Sequence, residues 1–217
     1  KLNPRTQFRH LPMGILNARD LLVPGSISLV VFVLCAWQLN YLALILSPVA
    51  LLYLVFYPYT KRFTWASNLL LGWALAIAPS AAWIGVTGEY GLEPFLLSLA
   101  VAFWAGSFDI LYHTQDIEFQ RGHNLHSVAS RFGISASFKI AKILDVLTVI
   151  TLISLGILIS LHLVYFLGCL IVAGFLVYKY VLISPGDISN LGIAFMRINA
   201  FVSTTVLIST IIAIVIS

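Results

Sequence analysis

The sequence predicts an all-α membrane protein, built as a polytopic bundle of transmembrane helices. Of its 217 residues, 60% are hydrophobic and only 9% are Asp, Glu, Lys or Arg, and the mean hydropathy is +1.01. A soluble domain is about half apolar and about a quarter charged. This chain therefore has too few polar side chains to cover a surface that faces water. Its apolar residues also come in runs of about 17–25, the length that crosses a bilayer as a helix.

Seven apolar runs are predicted as membrane spans. Segments with turn residues, such as "QLNY" and "SPGDISN", separate most of them, whereas "ILISLHLV" between the fifth and sixth has little turn chemistry. Small residues recur inside the runs, which favours closely packed helices over the alternating pattern of barrel strands. The predicted spans are Leu21–Leu39, Leu42–Tyr57, Phe63–Val86, Pro94–Tyr112, Phe138–Ser160, Leu161–Leu182 and Leu191–Ser217.

The basic residues predict the orientation of these spans. With seven spans, the N-terminal segment and the loops after the second, fourth and sixth lie on one side, and all 12 Lys and Arg lie at or near it. The opposite loops contain Glu89 and Glu93 and no base. By the positive-inside rule, the basic side is cytoplasmic. The net charge of +4 thus indicates a membrane protein, and no nucleic-acid partner is expected.

The stretch "SFDILYHTQDIEFQRGHNLHSVASRFG" contains an unusual share of the charged residues. If the fourth helix continues into it, four polar residues fall on one helical face at i, i+4, i+7 and i+11: Asp109, His113, Asp116 and Gln120. Burying such polar side chains at the end of a membrane helix costs free energy unless they have binding partners. Mg²⁺ is usually held by one or two carboxylates together with substrate phosphates, and the nearby bases suit a bound anion.

Simpler interpretations of these residues stay open. Asp116 and Glu118 could be solvated at a helix end. His123 and His126 fit a solvated loop better than a zinc site, because no third ligand of suitable type is near. Asp109 is harder to explain in this way, since it follows an apolar run, and acids inside a membrane are functional by default.

Two further polar clusters lie on the same side of the membrane. In "YPYTKRFT", Tyr57 and Lys61 are four residues apart, and in "NPRTQFRHLP", Arg5 and Arg9 have the same spacing. The ordinary explanation of the first cluster is an aromatic belt with a basic anchor. Three clusters of acids or bases on one side nevertheless favour a shared pocket.

These motifs resemble those of the UbiA superfamily of intramembrane aromatic prenyltransferases. "FDILYHTQDIEFQRGHNLHSVASRFG" resembles the family's second aspartate-rich region and is closest to its 4-hydroxybenzoate polyprenyltransferase branch. "YPYTKRFT" matches the Tyr-x-x-x-Lys element, and "NPRTQFRHLP" resembles the segment after the first aspartate motif, Asn-Asp-x-x-Asp-x-x-x-Asp. "DISNLGIAFMRINAFVS" resembles the opening of the last helix. The resemblance therefore covers the whole chain in the right order.

The resemblance implies one transmembrane prenyltransferase domain over residues 1–217, in a bundle of nine spans around a central, lipid-open cavity. Seven spans are predicted in this chain, which begins within an apparent loop, so two helices and the first aspartate motif are expected upstream. The implied reaction is Mg²⁺-dependent transfer of a polyprenyl group from an isoprenyl diphosphate to 4-hydroxybenzoate, at the ring carbon ortho to the hydroxyl. Such a reaction belongs to ubiquinone or prenyl-lipid biosynthesis, with the site facing the cytoplasm.

The resemblance also implies roles for individual residues. The implied metal set is Asp116, Asp109, Glu118 and Gln120. Gln120 stands where the family usually has a last Asp, so it keeps a carbonyl ligand and loses a charge. The implied diphosphate set is Tyr57, Lys61, Arg5 and Arg9, of which Tyr57 and Lys61, together with Asp116, are the expected catalytic residues.

Other functions stay open at this point. Related enzymes of the same superfamily use homogentisate, a naphthoate or a glycerol phosphate lipid as the acceptor. A transporter would also place acids and bases inside a helical bundle, but it should show an internal repeat with broken helices. A catalytically silent assembly subunit is a further alternative.

Overall fold

The structure is a computed structural model that describes residues 6–216. Within them, seven helices are long and apolar enough to cross a membrane, and each overlaps one predicted span. They are α1 (Ala18–Leu39), α2 (Tyr41–Arg62), α3 (Ser67–Thr87), α4 (Leu92–Gly122), α5 (Val128–Leu158), α6 (Leu163–Leu182) and α7 (Leu191–Ile216). A short helical turn, His10–Met13, precedes α1. The predicted all-helical membrane bundle is confirmed.

The start of α5 differs most from the prediction. The helix begins at Val128 rather than at Phe138, because Ser127 caps it: the Ser127 hydroxyl accepts from the Ser130 amide at 3.0 Å, and the Ser130 hydroxyl accepts from the Ser127 amide at 2.8 Å. Gly133, at φ 83°, interrupts the helix after its first turns. A left-handed backbone of this kind favours glycine, so the polar segment forms a separate helical start ahead of the apolar span.

The polar end of α4 also changes helical type. The α-helix runs to Tyr112, a 3₁₀ turn covers His113–Asp116, and a further α-helical turn covers Ile117–Gly122. The helix therefore does continue beyond its apolar run, which is the condition for the one-sided polar stripe, with a tighter turn in its middle.

The centre of the bundle is α4, which packs against α3 on one side and α5 on the other. Close approach of α3 to α4 depends on Gly72, because a Cβ atom there would collide with the carbonyl oxygen of Ala102. Ala74 and Ala76 are buried as well, whereas Ala78 is exposed. Small residues thus let two membrane helices approach closely, as the sequence predicted for this helix.

A second group of contacts joins α5, α6 and α7 around an apolar cluster that includes Tyr165, Val172 and Val202. The Tyr165 hydroxyl donates to the carbonyl of Leu152 at 2.9 Å. By contrast, α1 and α2 pair with each other and expose most of their apolar surface. The packed core therefore lies around α4 to α7.

Asp187 lies in the turn ahead of α7, within the predicted turn segment "SPGDISN". Its carboxylate accepts from the backbone amide of Ser189 at 2.9 Å. This hydrogen bond holds the pKa of the exposed Asp187 carboxyl below its ordinary value.

Candidate active site at the polar end of the bundle

A cavity of about 940 Å³ lies where the N-terminal segment meets the ends of α2 and α4 and the loop before α5. Its polar lining comes from all three sequence clusters: Arg9, Tyr57, Lys61, Asp109, His113, Asp116, Gln120 and His126. Leucines from the N-terminal segment and α3 contribute to its apolar lining, among them Leu11, Leu16 and Leu71. The shared pocket that the three clusters predicted is therefore present.

The four residues of the predicted polar stripe all line this cavity. His113 and Asp116 are three residues apart within the 3₁₀ turn, and three residues complete one turn of such a helix. The change of helical type therefore keeps both side chains on one face. Asp109 and Asp116 are only 6% and 7% exposed, so the two carboxylates approach the cavity from within the bundle wall.

One described residue of the predicted site, Glu118, is placed away from the cavity. Glu118 is exposed and is not among the residues that line the cavity. Arg5 lies outside the residues that the structure describes, whereas its predicted partner Arg9 lines the cavity. The roles of Glu118 and Arg5 stay predictions.

Two neighbouring side chains hold the Asp109 carboxylate. The side-chain amide of Asn68, on α3, donates to Asp109 Oδ2 at 2.7 Å. His113 Nδ1 lies 3.0 Å from the Asp109 backbone oxygen and 3.3 Å from Oδ2, so the imidazole borders the same carboxylate. The carboxylate is thus oriented by groups from two helices.

Gln120, at the family's usual Asp position, links the end of α4 to the start of α5. Its buried side-chain oxygen accepts from the Ser127 hydroxyl at 2.5 Å, and Ser127 is the N-cap residue of α5. A carbonyl oxygen has two lone pairs, so this contact leaves one available to a ligand. The amide oxygen of Gln120 therefore joins α4 to α5 without adding a negative charge.

The loop before α5 is fixed against the end of α2. The backbone amide of His126 donates to the Lys61 carbonyl at 2.6 Å, and the Ser67 hydroxyl donates to the His126 carbonyl at 2.9 Å. Lys61 therefore lines the cavity, and its own backbone is hydrogen-bonded to the loop before α5. His126, predicted to lie in a solvated loop, is exposed and also lines the cavity.

The comparison with family models decides the classification. The model described as the UbiA prenyltransferase family matches residues 1–204. The chain belongs to the UbiA prenyltransferase family.

Two curated proteins are about a third identical to this chain over the aligned residues. A 4-hydroxybenzoate octaprenyltransferase of Tolumonas auensis is 34% identical over 180 residues, which are 82% of this chain and 62% of the relative. The enzyme of that name from Nitrosomonas eutropha is 33% identical over 222 residues, covering 98% of this chain and 76% of the relative. The chain thus spans less than two thirds of the length of the Tolumonas relative.

Solved structures share the UbiA fold with this protein. The apo structure of a UbiA homolog from Aeropyrum pernix K1 aligns with a TM-score of 0.86 at 23% identity, over 95% of this chain and 78% of that one. A structure of digeranylgeranylglyceryl phosphate synthase aligns with a TM-score of 0.73 at 18% identity, over 97% and 75%. At these identities, the similarity supports the fold alone.

The donor set in the cavity fits part of a magnesium site. Asp109 and Asp116 supply carboxylates, and Gln120 supplies an amide oxygen. Among residues 6–216, no three His, Cys, Asp or Glu side chains are arranged to hold a metal without other ligands. Mg²⁺ is commonly bound by one or two carboxylates, waters and substrate phosphates, so this set suits a metal that arrives with a phosphate ligand.

Asn68 is a residue of the site that none of the sequence motifs reveals. It is 1% exposed and contacts Asp109 directly. One signal was present, because an amide side chain within the apolar run "WASNLLLGWAL" needs a partner inside the membrane. The identity of that partner could not be read from the sequence.

Proposed function

We propose that this protein is a prenyltransferase that acts on 4-hydroxybenzoate. It would transfer an isoprenyl group from an isoprenyl diphosphate to the ring carbon ortho to the hydroxyl, in a Mg²⁺-dependent reaction of ubiquinone or prenyl-lipid biosynthesis. Membership of the UbiA family supports the reaction class. The names of the Tolumonas and Nitrosomonas relatives support the acceptor.

One observation carries the proposal: acids and bases from different elements meet in a single cavity. Asp109 and Asp116 come from α4, Lys61 comes from the end of α2, and Arg9 comes from the N-terminal segment. A diphosphate bound with a divalent cation needs both signs of charge in its site. The apolar part of the lining suits the isoprenoid chain of the same substrate.

Six polar residues of the cavity have a role in this reaction. Lys61 and Arg9 neutralise the diphosphate as negative charge grows on it, and the Tyr57 hydroxyl donates to a phosphate oxygen. Asp109 and Asp116, with Gln120, would hold Mg²⁺, which supplies Lewis-acid stabilisation of the diphosphate when bound. The leucine side chains exclude water from the allylic carbon, which would otherwise be hydrolysed.

The bond changes follow from the two substrates. The bond between the terminal prenyl carbon and the diphosphate oxygen breaks, and that oxygen keeps the electron pair. The electron-rich ring carbon next to the phenol hydroxyl forms the new carbon–carbon bond. The proton on that carbon then leaves, which restores the aromatic ring. The products are the prenylated acid, diphosphate and one proton. In this proposal the reaction takes place at the cytoplasmic side, because the bases lie there.

The proposal is tested by measuring prenyl transfer on the full-length protein in detergent. Geranyl diphosphate and 4-hydroxybenzoate are supplied with and without Mg²⁺, and the product is detected by mass spectrometry. We expect a product of one added geranyl group that requires Mg²⁺ and that an Asp116→Asn variant fails to make. Glu89→Gln, an exposed carboxylate in the loop after α3, is the control and should behave like the wild type.

Other outcomes separate the alternatives. Product with homogentisate, a naphthoate or a glycerol phosphate lipid, but none with 4-hydroxybenzoate, would keep the reaction class and replace the acceptor. Folded protein that refuses every acceptor would contradict the enzymatic proposal and favour a transporter or an assembly subunit. Full activity of Asp116→Asn would contradict the assigned site.

A further inference from the structure

Asn68 joins three helices beside Asp109, a residue that lines the cavity. It lies on α3 and is 1% exposed. Its side-chain Nδ2 donates to Asp109 Oδ2 on α4 at 2.7 Å, and its Oδ1 accepts from the backbone amide of Val128 at 3.0 Å. Val128 is the first residue of α5. One amide group therefore connects an acid of the cavity to the start of another helix.

These two contacts require an amide side chain. The opposite orientation of the Asn68 amide would place its oxygen against the Asp109 carboxylate and its NH₂ group against the Val128 N–H, so the contacts themselves assign the orientation. A carboxylate at position 68 could accept from the Val128 amide but could not donate to the Asp109 carboxylate. An aliphatic side chain could form neither hydrogen bond. The network therefore selects Asn for its paired donor and acceptor.

We propose that Asn68 is a positioning residue of the prenyl-transfer site, an inference that rests on the proposed function. It acts through Asp109, holding Oδ2 so that the carboxylate keeps one orientation toward the cation and diphosphate. Through its hydrogen bond to Val128, it also fixes the position of the loop that contains His126 and Ser127 relative to that carboxylate. His113, whose Nδ1 lies 3.1 Å from the Asn68 amide nitrogen, belongs to the same network.

Two substitutions separate the two contacts. Asn68→Asp retains an acceptor for the Val128 amide and removes the donor to Asp109, which then faces a second carboxylate. Asn68→Leu removes both contacts and keeps the number and branching of the side-chain heavy atoms. The matched control is Ser80→Ala, because the hydroxyls of Ser80 and Ser98 form a 2.7 Å hydrogen bond between the same two helices. That bond lies about 18 Å along α3 from Asn68.

Three measurements are made on full-length protein in detergent. The first is kcat and KM for geranyl diphosphate as Mg²⁺ is varied. The second is the rise in thermal unfolding temperature on adding Mg²⁺ with inorganic diphosphate, which requires no turnover. The third is amide hydrogen exchange at the start of α5, which reports the contact with Val128.

The proposal expects a specific pattern for the two Asn68 variants. Asn68→Asp should lower kcat about tenfold or more, because a hydrogen bond to a charged group is lost. It should also raise the half-saturating Mg²⁺ concentration and reduce the diphosphate-induced thermal shift by at least half, while exchange at the start of α5 stays as in the wild type. Asn68→Leu should show the same losses together with faster exchange there. Ser80→Ala should stay within about twofold of the wild type in kcat.

Several results would overturn the positioning role. One is an Asn68→Asp variant that stays within about twofold of the wild type in kcat and Mg²⁺ dependence. Another is a Ser80→Ala variant that loses as much as Asn68→Asp, which would indicate general loosening of the α3–α4 contact. If the wild type makes no product but is stabilised by Mg²⁺ and diphosphate, the proposed reaction fails, and the thermal shift of Asn68→Asp still decides the role of Asn68. A wild type without any such shift would contradict both.

Discussion

The ammonium group of Lys179 lies 2.8 Å from Oδ2 and 3.1 Å from Oδ1 of Asp145, inside the helix bundle. Both residues are buried, with Lys179 only 2% exposed. Ser107 and Tyr180 complete the network: Lys179 donates to the Ser107 hydroxyl at 3.2 Å, and the Tyr180 hydroxyl donates to Asp145 Oδ2 at 2.6 Å. This ion pair ties α6 to α5 and to the face of α4 that carries Ser107.

Removing one partner of this pair should destabilise the protein more than removing both. Lys179→Met leaves a buried carboxylate and Asp145→Leu leaves a buried ammonium, so each should cost about 3–5 kcal/mol of the free energy of unfolding. The double variant should lose clearly less than the sum of the two, since it leaves no unpaired charge. Denaturant-induced unfolding of the four proteins in detergent measures this difference.

Lys142→Met is the control for this cycle. Lys142 is an exposed lysine of α5 whose ammonium lies 5.0 Å from the centre of the Tyr180 ring. An exposed contact of that kind contributes about 1 kcal/mol or less. Additive effects of Lys179→Met and Asp145→Leu, or single losses no larger than that of Lys142→Met, would show that the buried pair is not coupled.

Because α3 packs closely against α4 at Gly72, adding one methyl group there should destabilise the protein. In Gly72→Ala the new Cβ atom would meet the backbone oxygen of Ala102, which cannot move without shifting the whole helix. We expect a loss of about 1–3 kcal/mol in the free energy of unfolding, as in other overpacked cores. Gly174→Ala in α6 is the matched control, because no atom beyond its own turn of helix lies within 4 Å of its new methyl group. The packing argument fails if the two variants are equally stable.

The Lys61 side chain should affect donor binding rather than the fold. Its backbone carbonyl holds the His126 amide whatever the side chain is, so Lys61→Met keeps the loop contact and removes only the charge. We expect the KM for geranyl diphosphate to rise about tenfold or more, since a charge-assisted contact to phosphate is lost. Binding of the donor should also become less sensitive to salt, as one charge pair fewer is screened.

Lys139→Met, at an exposed position of α5, controls for the general loss of a positive charge. It should leave the KM for geranyl diphosphate and its salt dependence close to those of the wild type. Equal effects of the two variants would mean that Lys61 acts only through the overall surface potential.

The spans and the polar stripe could be predicted because both depend on local periodicity. Apolar runs of bilayer length determine the helices, and the i, i+4, i+7 spacing places Asp109, His113 and Asp116 together whichever neighbours they meet. The 3₁₀ turn preserved that arrangement. Predictions of this kind depend only on the periodicity within one helix.

Contacts between helices could not be predicted in the same way. The sequence counts Lys179 among the 12 bases at the cytoplasmic side, but in the structure its ammonium group is buried against Asp145 of α5. Asn68 and Asp109 are likewise distant in sequence and meet only because α3 packs closely on α4. The rotation of each helix and its choice of neighbour depend on contacts with all the other helices. These contacts cannot be read from a single sequence.

The two acids of "DIEF" should differ in their importance for activity. Asp116 is 7% exposed and lines the cavity, whereas Glu118 is exposed and does not line it. We therefore expect Glu118→Gln to reduce kcat far less than Asp116→Asn, and to leave the half-saturating Mg²⁺ concentration nearer that of the wild type. Both changes remove one carboxylate charge at similar volume, so the comparison isolates position. Steady-state rates over a range of Mg²⁺ concentrations measure it, and equal losses would indicate that Glu118 turns into the cavity when the substrates bind.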